Sequence, residues 1–388
     1  MIETKKLIEI ADVIDSLHQT PEYVEEGIPM VRVTDVKPGD LLLDGCQFVT
    51  EDVFEKFTAN HVPHKGDIVI SRVGTYGNFA YVADDIKFCL GQNTSIIAPR
   101  INSRYLYYFL QSPFTRRQIE SRVVGSTQKT LSLKNIKELE VPCPDEVTQK
   151  KIANVLETID LKIANNNRIN RNLEQLARIL LKKWMKDQNK EYELVPLTDV
   201  ANINPKLYSE KDPWPYINYL DTSSITQGVI SCIQFINPNI EKLPSRAKRI
   251  VQENDIIFST VRPNQLHYGI IKEPMKNMLV STGFAVVRSK YESVDSAILY
   301  LCLTDKEFIG TMQQLAEEST STFPSIKPSD LNECRIPYPV SPQLAQTIDD
   351  LFTLISKNQH NSNQLSTLRE SLIPKLLSGD IDICDLSI

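Results

Sequence analysis

Long apolar runs are missing from this 388-residue chain. None approaches the roughly 18 residues that a membrane span requires. The start, Met1-Ile-Glu-Thr-Lys-Lys6, lacks the apolar centre of a signal peptide. A cytoplasmic protein with no membrane partner is therefore expected. Paired cysteines are missing too. Cys46, Cys89, Cys143, Cys232, Cys302, Cys334 and Cys384 are scattered and form no C-x-x-C, which argues for free thiols in a reducing compartment and against a zinc ribbon. Histidine is scarce, at five residues. His61 and His64 are the close pair, and Pro63 between them argues against a metal-binding helix, so no metal site is expected.

Signatures of catalysis are equally thin. Gly125-Ser-Thr-Gln-Lys-Thr130 resembles a phosphate loop but lacks its second glycine, and no G-x-G-x-x-G opens a helix. The runs Ile203-Asn-Pro-Lys206 and Ile236-Asn-Pro-Asn239 each lack the second proline of an amino-methyltransferase tetrad. Neither G-x-S-x-G nor H-E-x-x-H occurs. Asp67 and Asp255 open strand-like runs without an acidic or lysine partner at nuclease spacing, so each reads as a turn cap. No catalytic residue is assigned.

What the chain has is repetition. Leu7-Ile-Glu-Ile-Ala-Asp-Val13 returns as Leu194-Val-Pro-Leu-Thr-Asp-Val200. Ile28-Pro29 with Met30–Val33 and Asp35 returns as Trp214-Pro215 with Tyr216–Tyr219 and Asp221. Asp67-Ile-Val-Ile-Ser-Arg-Val73 matches Asp255-Ile-Ile-Phe-Ser-Thr-Val261. Gly125–Thr130 stands opposite Thr320–Ser325, and Val141-Pro-Cys-Pro144 opposite Ile336-Pro-Tyr-Pro339. The same order with a small, one-directional drift in offset indicates an internal duplication.

Each copy opens with short β-type runs separated by turn residues, among them Thr94–Ala98 and Phe284–Val287, followed by one expected helix, Tyr105–Ser121 or Ser296–Ala316. A long helical pattern comes next. Ile152, Leu156, Ile159 and Ile163 step by four, three and four, and Leu173, Ala177, Leu180 and Trp184 resume the stripe after Asn166 and Asn170. The second pattern runs through Ile348, Phe352 and Ile355, crosses Asn358–Asn363, and resumes at Leu365, Leu368, Leu372 and Leu376. Neither polar centre contains Gly or Pro, so each stretch is read as one continuous helix, and the polar seam positions as register devices. Two such helices would pair antiparallel. At about 1.5 Å per residue, Ile152–Trp184 spans roughly 50 Å, beyond the ~34 Å of one DNA turn.

The expected fold is mixed α/β: two globular domains in pseudo-twofold repeat, separated by two long helices that form an antiparallel coiled coil. The boundaries drawn are 1–144, a helix over 145–187, 188–339, and a helix with tail over 340–388.

The formal net charge of −6 is mildly unfavourable to nucleic acid. Charge is nevertheless segregated. Arg100–Leu139 carries eight basic residues against two acidic ones, and Leu243–Lys290 carries eight against three. Two basic zones, one per copy, could each meet phosphate.

The chain resembles the specificity subunit of type I restriction-modification systems. The resemblance rests on Leu7–Val13, Gly27-Ile-Pro-Met-Val-Arg-Val33, Lys65-Gly-Asp-Ile-Val-Ile70, Gly125-Ser-Thr-Gln-Lys129 and the closing Lys375-Leu-Leu-Ser-Gly-Asp-Ile381. Its most specific part is Leu139-Glu-Val-Pro-Cys-Pro-Asp-Glu-Val-Thr-Gln149 leading into the long helix. The second copy departs from the pattern, with Phe323-Pro324 for the Gln-Lys pair and Arg262-Pro-Asn264 for Gly74-Thr-Tyr76.

The resemblance implies a non-catalytic subunit in which each globular domain reads one half of a split target in double-stranded DNA. It implies that the helices set the gap and dock two methyltransferase subunits, with motor-nuclease subunits joining for restriction. No cofactor is then bound by this chain. S-adenosylmethionine and ATP with Mg are expected on the partners. The alternative is a free-standing DNA-binding regulator or coiled-coil adaptor without methylase partners.

Base edges are read by polar and basic side chains on loops. The candidates in the first copy are Arg72, Thr75, Tyr76, Asn78, Gln92, Asn93, Ser126, Thr127, Gln128 and Lys129. In the second they are Thr260, Arg262, Asn264, Gln265, His267, Ser281, Thr282, Ser321 and Thr322.

Overall fold

Alternation within short apolar runs organises a computed structural model of the chain. It describes all residues except 1–2, 124–128, 188–190, 210, 212, 292–293, 320–323, 380 and 382–388. The chain divides into two compact units, Met1–Ile163 with Asn363–Ile388, and Ala164–Ser362. Each unit thus takes part of both long helices.

In the first unit, Ile68–Ser71 is buried along its whole length. Ile68 and Ile70 join a core with Tyr105–Leu110, Ile119 and Leu156. Val69 points the other way, into a cluster with Val31, Ala80, Leu90 and Ile96. A strand covered on both faces reads as continuous apolar sequence, and its period of two sends neighbours to opposite layers. The strand lies inside a five-stranded sheet ordered Ala11–Asp15, Thr94–Pro99, Ile68–Ser71, Phe79–Tyr81, Gly39–Asp40. The helix Ser103–Leu110 contributes to the core on one side of it. A second sheet, Gln47–Val49, Ile28–Val31, Cys89–Leu90, contributes Val31 and Leu90 on the other.

The second unit repeats the plan. Its sheets run Ala201–Ile203, Phe284–Ser289, Asp255–Ser259, Tyr268–Ile271, and Gln234–Ile236, Ile217–Leu220, Met278–Ser281, Ala247–Ile250. Ile256 and Phe258 face the helical core, and Ile257 faces the other sheet with Leu220 and Val280. Equivalent two-stranded ribbons pair Glu3–Lys6 with Glu140–Cys143 and Glu193–Pro196 with Arg335–Tyr338. The duplication seen in the sequence is therefore a duplication of topology, and the mixed α/β fold class holds.

One expected element is two. The helix read over Tyr105–Ser121 breaks into Ser103–Leu110 and Pro113–Arg122, because Ser112 caps a new start through Thr115 N–H and Pro113 occupies its first position. Ser296–Ala316 likewise breaks at Asp305, which accepts from Glu307 N–H.

The long helices are continuous, Glu146–Lys186 and Pro342–Ser378. The first spans about 60 Å at 1.5 Å per residue. Its entry explains the Val-Thr-Gln149 motif. Asp145 caps the helix by accepting from Thr148 N–H at 3.0 Å. Buried Gln149 donates to Pro144 O at 2.7 Å and accepts from Asn102 N–H at 3.1 Å.

Antiparallel pairing shows in both units. In the first, Asp160 takes Arg369, and Ile152 and Leu156 share a core with Ile373 and Leu376. Leu368, read as a seam residue, is 47% exposed; its neighbour Arg369 faces the partner helix instead. In the second unit the polar seam closes on itself. Asn166 donates to Ser362 Oγ at 3.1 Å, Asn170 donates to Ile355 O at 3.2 Å, and Asn358 donates to Asn170 Oδ1 at 2.8 Å. Leu181, at 5% exposure, sits in the apolar core beyond, while Leu180 is half-buried.

A double-mutant cycle tests the seam. Asn166→Ala and Ser362→Ala should each cost about 1 kcal/mol in urea unfolding, with the double variant costing clearly less than their sum. Strict additivity would show that the two side chains do not communicate.

Candidate nucleic-acid interface

The sheet strand Ile68–Ser71 runs directly into the first group of candidates. Arg72 N–H donates to Asn93 O at 2.9 Å, Leu131 N–H donates to Arg72 O at 2.9 Å, and Val73 bridges to Thr130. Backbone hydrogen bonds thereby gather three segments at one strand end: 71–78, 91–94 and 129–131. Ser126, Thr127 and Gln128 lie outside the described residues.

Within this group the side chains divide by exposure. Arg72 is 11% exposed and internally satisfied: it meets Asp15 Oδ1 at 2.5 Å and donates from Nε to Leu131 O at 3.2 Å. Burial alone would raise the Asp15 carboxyl, but contacts from His18, Arg72 and Ser95 outweigh it and hold the group below its usual range. Ser71 Oγ donates to Thr75 O at 2.5 Å and closes the turn, with Gly74 and Gly77 in the left-handed region.

Thr75 is exposed at the tip. Tyr76 donates to Glu120 at 3.1 Å, with the Arg116 guanidinium 5.3 Å from its ring and Lys129 Nζ 6.0 Å away. Asn78 donates to Val36 O at 3.3 Å. Gln92 is exposed beside Gln19 and Thr20, whose N–H groups its amide oxygen accepts at 3.2 Å. Asn93 holds a left-handed φ of 63°. Lys129 is exposed, 3.9 Å from Glu120.

The second unit builds the same junction. Thr260 N–H donates to Gly283 O, Ile326 N–H donates to Thr260 O, and Val261 bridges to Ser325. Thr260 and Ser281 were candidates for base contact, yet both are buried. Thr260 Oγ1 donates to Gly283 O at 3.0 Å, and Ser281 Oγ accepts from Gly283 N–H at 3.2 Å, so both hydroxyls hold the turn. Thr282 is half-buried and donates its N–H to Arg246 O. His267 Nδ1 stands 2.6 Å from Ile225 O. Arg262, Asn264 and Gln265 are exposed around the turn Pro263–Gln265. Ser321 and Thr322 lie outside the described residues.

A further loop in each unit escaped the sequence reading. In the first, Arg32 grips Asp35 through Nε at 3.0 Å, and Thr75 Oγ1 donates to Val33 O at 3.4 Å. Arg32, Thr34, Gln92 and Thr20 share the wall of a cavity of about 300 Å³. In the second, Asp221 accepts from Tyr219 Oη at 2.9 Å and Ser223 Oγ at 3.1 Å. A side chain at Gly283 would meet Thr222 Oγ1 at 3.0 Å, so this loop also lies against the junction. The repeat of Asp35 as Asp221 was the available signal.

The basic zones are weaker than their residue counts. Arg100 pairs with Asp12, Arg104 with Asp40 at 2.8 Å, Arg116 with Glu120, Lys272 with Asp349 and Arg288 with Asp255. Several of these acids come from outside the windows counted. Arg117, Arg246, Lys248 and Arg262 are exposed.

A sequence model of the type I restriction modification DNA specificity domain matches residues 2–175 and again 189–368. The chain belongs to that family. It carries the domain twice, and its role is DNA sequence recognition within a type I restriction-modification complex.

Among its relatives is the type I restriction enzyme MjaIX specificity subunit of Methanocaldococcus jannaschii, 24% identical, with 99% of this chain and 94% of that protein aligned. The EcoDI specificity subunit of Escherichia coli is 24% identical over 79% of this chain and 76% of its own length. The crystal structure of the type I restriction-modification S subunit from M. genitalium shares the fold with a TM-score of 0.54 at 17% identity, covering 97% of this chain and 96% of that one. Among the described residues, no helix is long and apolar enough to cross a membrane.

The Asp15–Arg72 pair sets a pH test. A depressed carboxyl contributes stability above its unfolded pKa of about 3.9 and loses it as pH falls through the lower folded value. Asp15→Asn should therefore lower the melting temperature near neutral pH, with the gap to the parent chain narrowing below about pH 4. A gap of constant size down to about pH 3 would assign the effect to packing rather than charge.

Proposed function

We propose that each unit reads one half of a split target in double-stranded DNA, and that the paired helices fix the gap and dock two methyltransferase subunits. The observation carrying this reading is the duplicated junction, in which one backbone scaffold presents two different sets of exposed side chains. In the first unit the readers are Thr75, Tyr76, Gln92 and Lys129. In the second they are Arg262, Asn264 and Gln265. Arg72, Thr260 and Ser281 shape these loops from beneath. Arg117, Arg246 and Lys248 are placed to hold phosphate.

On this reading the chain does no chemistry itself. Methylation with S-adenosylmethionine belongs to the methyltransferase partners, and ATP-driven restriction belongs to a motor-nuclease, all in the cytoplasm. The free-standing regulator gains no support from the relatives found.

Docking is supported by apolar side chains that the long helix leaves uncovered. Ile169, Leu176 and Ile179 are 38%, 43% and 54% exposed. At 100° per residue they form one stripe, roughly 120° around the helix from the seam. Leu176→Glu with Ile179→Glu should abolish copurification with the methyltransferase while leaving the melting temperature within about 2 °C of the parent. Undiminished copurification would place docking elsewhere.

Methylation mapping tests recognition. Co-expression with the methyltransferase should modify adenines in a two-part motif with a fixed gap, and a continuous palindrome would overturn the reading. Thr75→Ala with Lys129→Ala should relax one half and spare the other. Because the seam pairs Asn166 and Asn170 with Asn358 and Ser362, a one-turn insertion after Asn166 must be matched by one after Asn358. The matched pair should change the gap and leave both halves intact.

A further inference from the structure

A buried carboxylate is costly without a compensating charge, and the two units meet this demand differently. Asp67 and Asp255 are the same position in the repeat, each fully buried at the head of the central strand. Each serves as a turn cap, accepting a backbone N–H from three residues earlier, His64 at 3.0 Å and Gln252 at 2.8 Å. In the second unit Arg288 completes the site, donating from Nε and Nη2 to the two Asp255 oxygens at 2.7 Å each. Strand register shows what replaces it in the first unit. Ile256 pairs with Val287 and Ile68 with Ile97, so the residue corresponding to Arg288 is Ala98. The cation is gone from the sheet.

Two imidazoles stand in its place. His61 Nε2 lies 2.6 Å from Asp67 Oδ2, and His64 Nδ1 lies 3.6 Å from Asp67 Oδ1. The ligand atoms of the three residues all fall within 4.8 Å of one another, which no other group of three His, Cys, Asp or Glu achieves among the described residues. Asp67 Oδ1 is itself buried and makes no hydrogen bond. An orphaned carboxylate oxygen turned toward an imidazole nitrogen has the acceptor capacity that a cation uses.

We propose that His61, His64 and Asp67 form a divalent metal site of the zinc class, which supplies in the first unit the positive charge that Arg288 supplies in the second. Two imidazoles and one carboxylate suit Zn²⁺ or Co²⁺ better than Mg²⁺ or Ca²⁺, which prefer all-oxygen shells. Ligand bonds of about 2.0–2.2 Å require the ion to displace two hydrogen bonds and their protons, the one between His61 and Asp67 and the one from His64 Nδ1 to Lys65 O at 3.1 Å. Water fills the remaining position on the exposed His64 side. Pro63, which spoke against a helical H-x-x-H, is compatible with this site because the ligands come from a loop: residues 61–66 lie between the helix Glu51–Phe57 and the strand Ile68–Ser71. The site's role is structural. It pins the loop to the head of the strand whose other end carries the reading turn.

The test uses the full chain, stripped with chelator and dialysed against Zn²⁺, with bound metal counted by elemental analysis. One Zn²⁺ per chain at micromolar or tighter affinity is expected, and Co²⁺ should give the visible absorption of a four-coordinate N/O site without a thiolate charge-transfer band. His64→Ala is the informative variant. Its ring is 59% exposed, and the change leaves the His61–Asp67 contact in place, so folding is spared. This variant should bind at least tenfold more weakly and lose the stabilisation by Zn²⁺ seen in the parent. His61→Ala should do the same. Failure of the parent chain to bind stoichiometric metal, or binding by both histidine variants as tight as the parent's, would overturn the site.

Discussion

The recognition geometry depends on backbone hydrogen bonding at the end of a strand buried on both faces. In each unit the strand cannot slide, because a shift of one residue would exchange its two apolar faces between a helical layer and a second sheet. Residues just past its end, Arg72 and Thr260, therefore occupy defined positions. From there their N–H and C=O groups hold the other loops. The scaffold is made of main-chain atoms, so it tolerates wide changes in side chains. That property is seen in the two copies, which keep the junction while their turn residues differ.

The long helices solve a different problem. An entirely apolar seam would stabilise the pair but permit it to slip by a heptad. Asn166, Asn170, Asn358 and Ser362 satisfy one another only in one alignment, so slippage would bury unmatched amides and a hydroxyl. A small loss of apolar contact yields a defined register. If the helices act as a spacer, a defined register is the property that matters.

Much of this was legible because it rests on periodicity and repetition. The strands Ile68–Ser71 and Asp255–Ser259 appear in the sequence as continuous apolar runs, the long helices as a spacing of three and four, and the proline turns as a match at the length of the repeat. Local chemistry was legible less reliably. Ser112-Pro113 and Asp305 carried ordinary helix-start signals, but they were hidden inside runs that looked helical throughout. The split of candidates into exposed and buried side chains could not be seen, because burial is set by distant residues: Asp15 and Leu131 claim Arg72, and Gly283 claims Thr260 and Ser281. Residue counts overstated the free charge of the basic zones for the same reason, since counter-charges for Arg100, Arg104 and Lys272 arrive from other parts of each fold. The loop at Arg32–Asp35 was missed although its aspartate had been matched between the copies.

The turns that follow the two central strands meet their left-handed positions differently. In the first, the left-handed positions are glycines, Gly74 at 70° and Gly77 at 74°. In the second, the equivalent bends are made by Arg262 at 46° and Leu266 at 59°. Non-glycine residues pay roughly 1–2 kcal/mol for such φ values, and leucine has no local hydrogen bond to offset it. For Leu266 the return is visible, since it packs against the core of its unit. Arg262 instead has its main chain held on both sides: its N–H donates to Pro324 O at 3.0 Å and its carbonyl accepts from Gln265 N–H at 2.9 Å. The first unit meets the bend with residues that carry no steric cost, and the second meets it with a main chain tied into the junction.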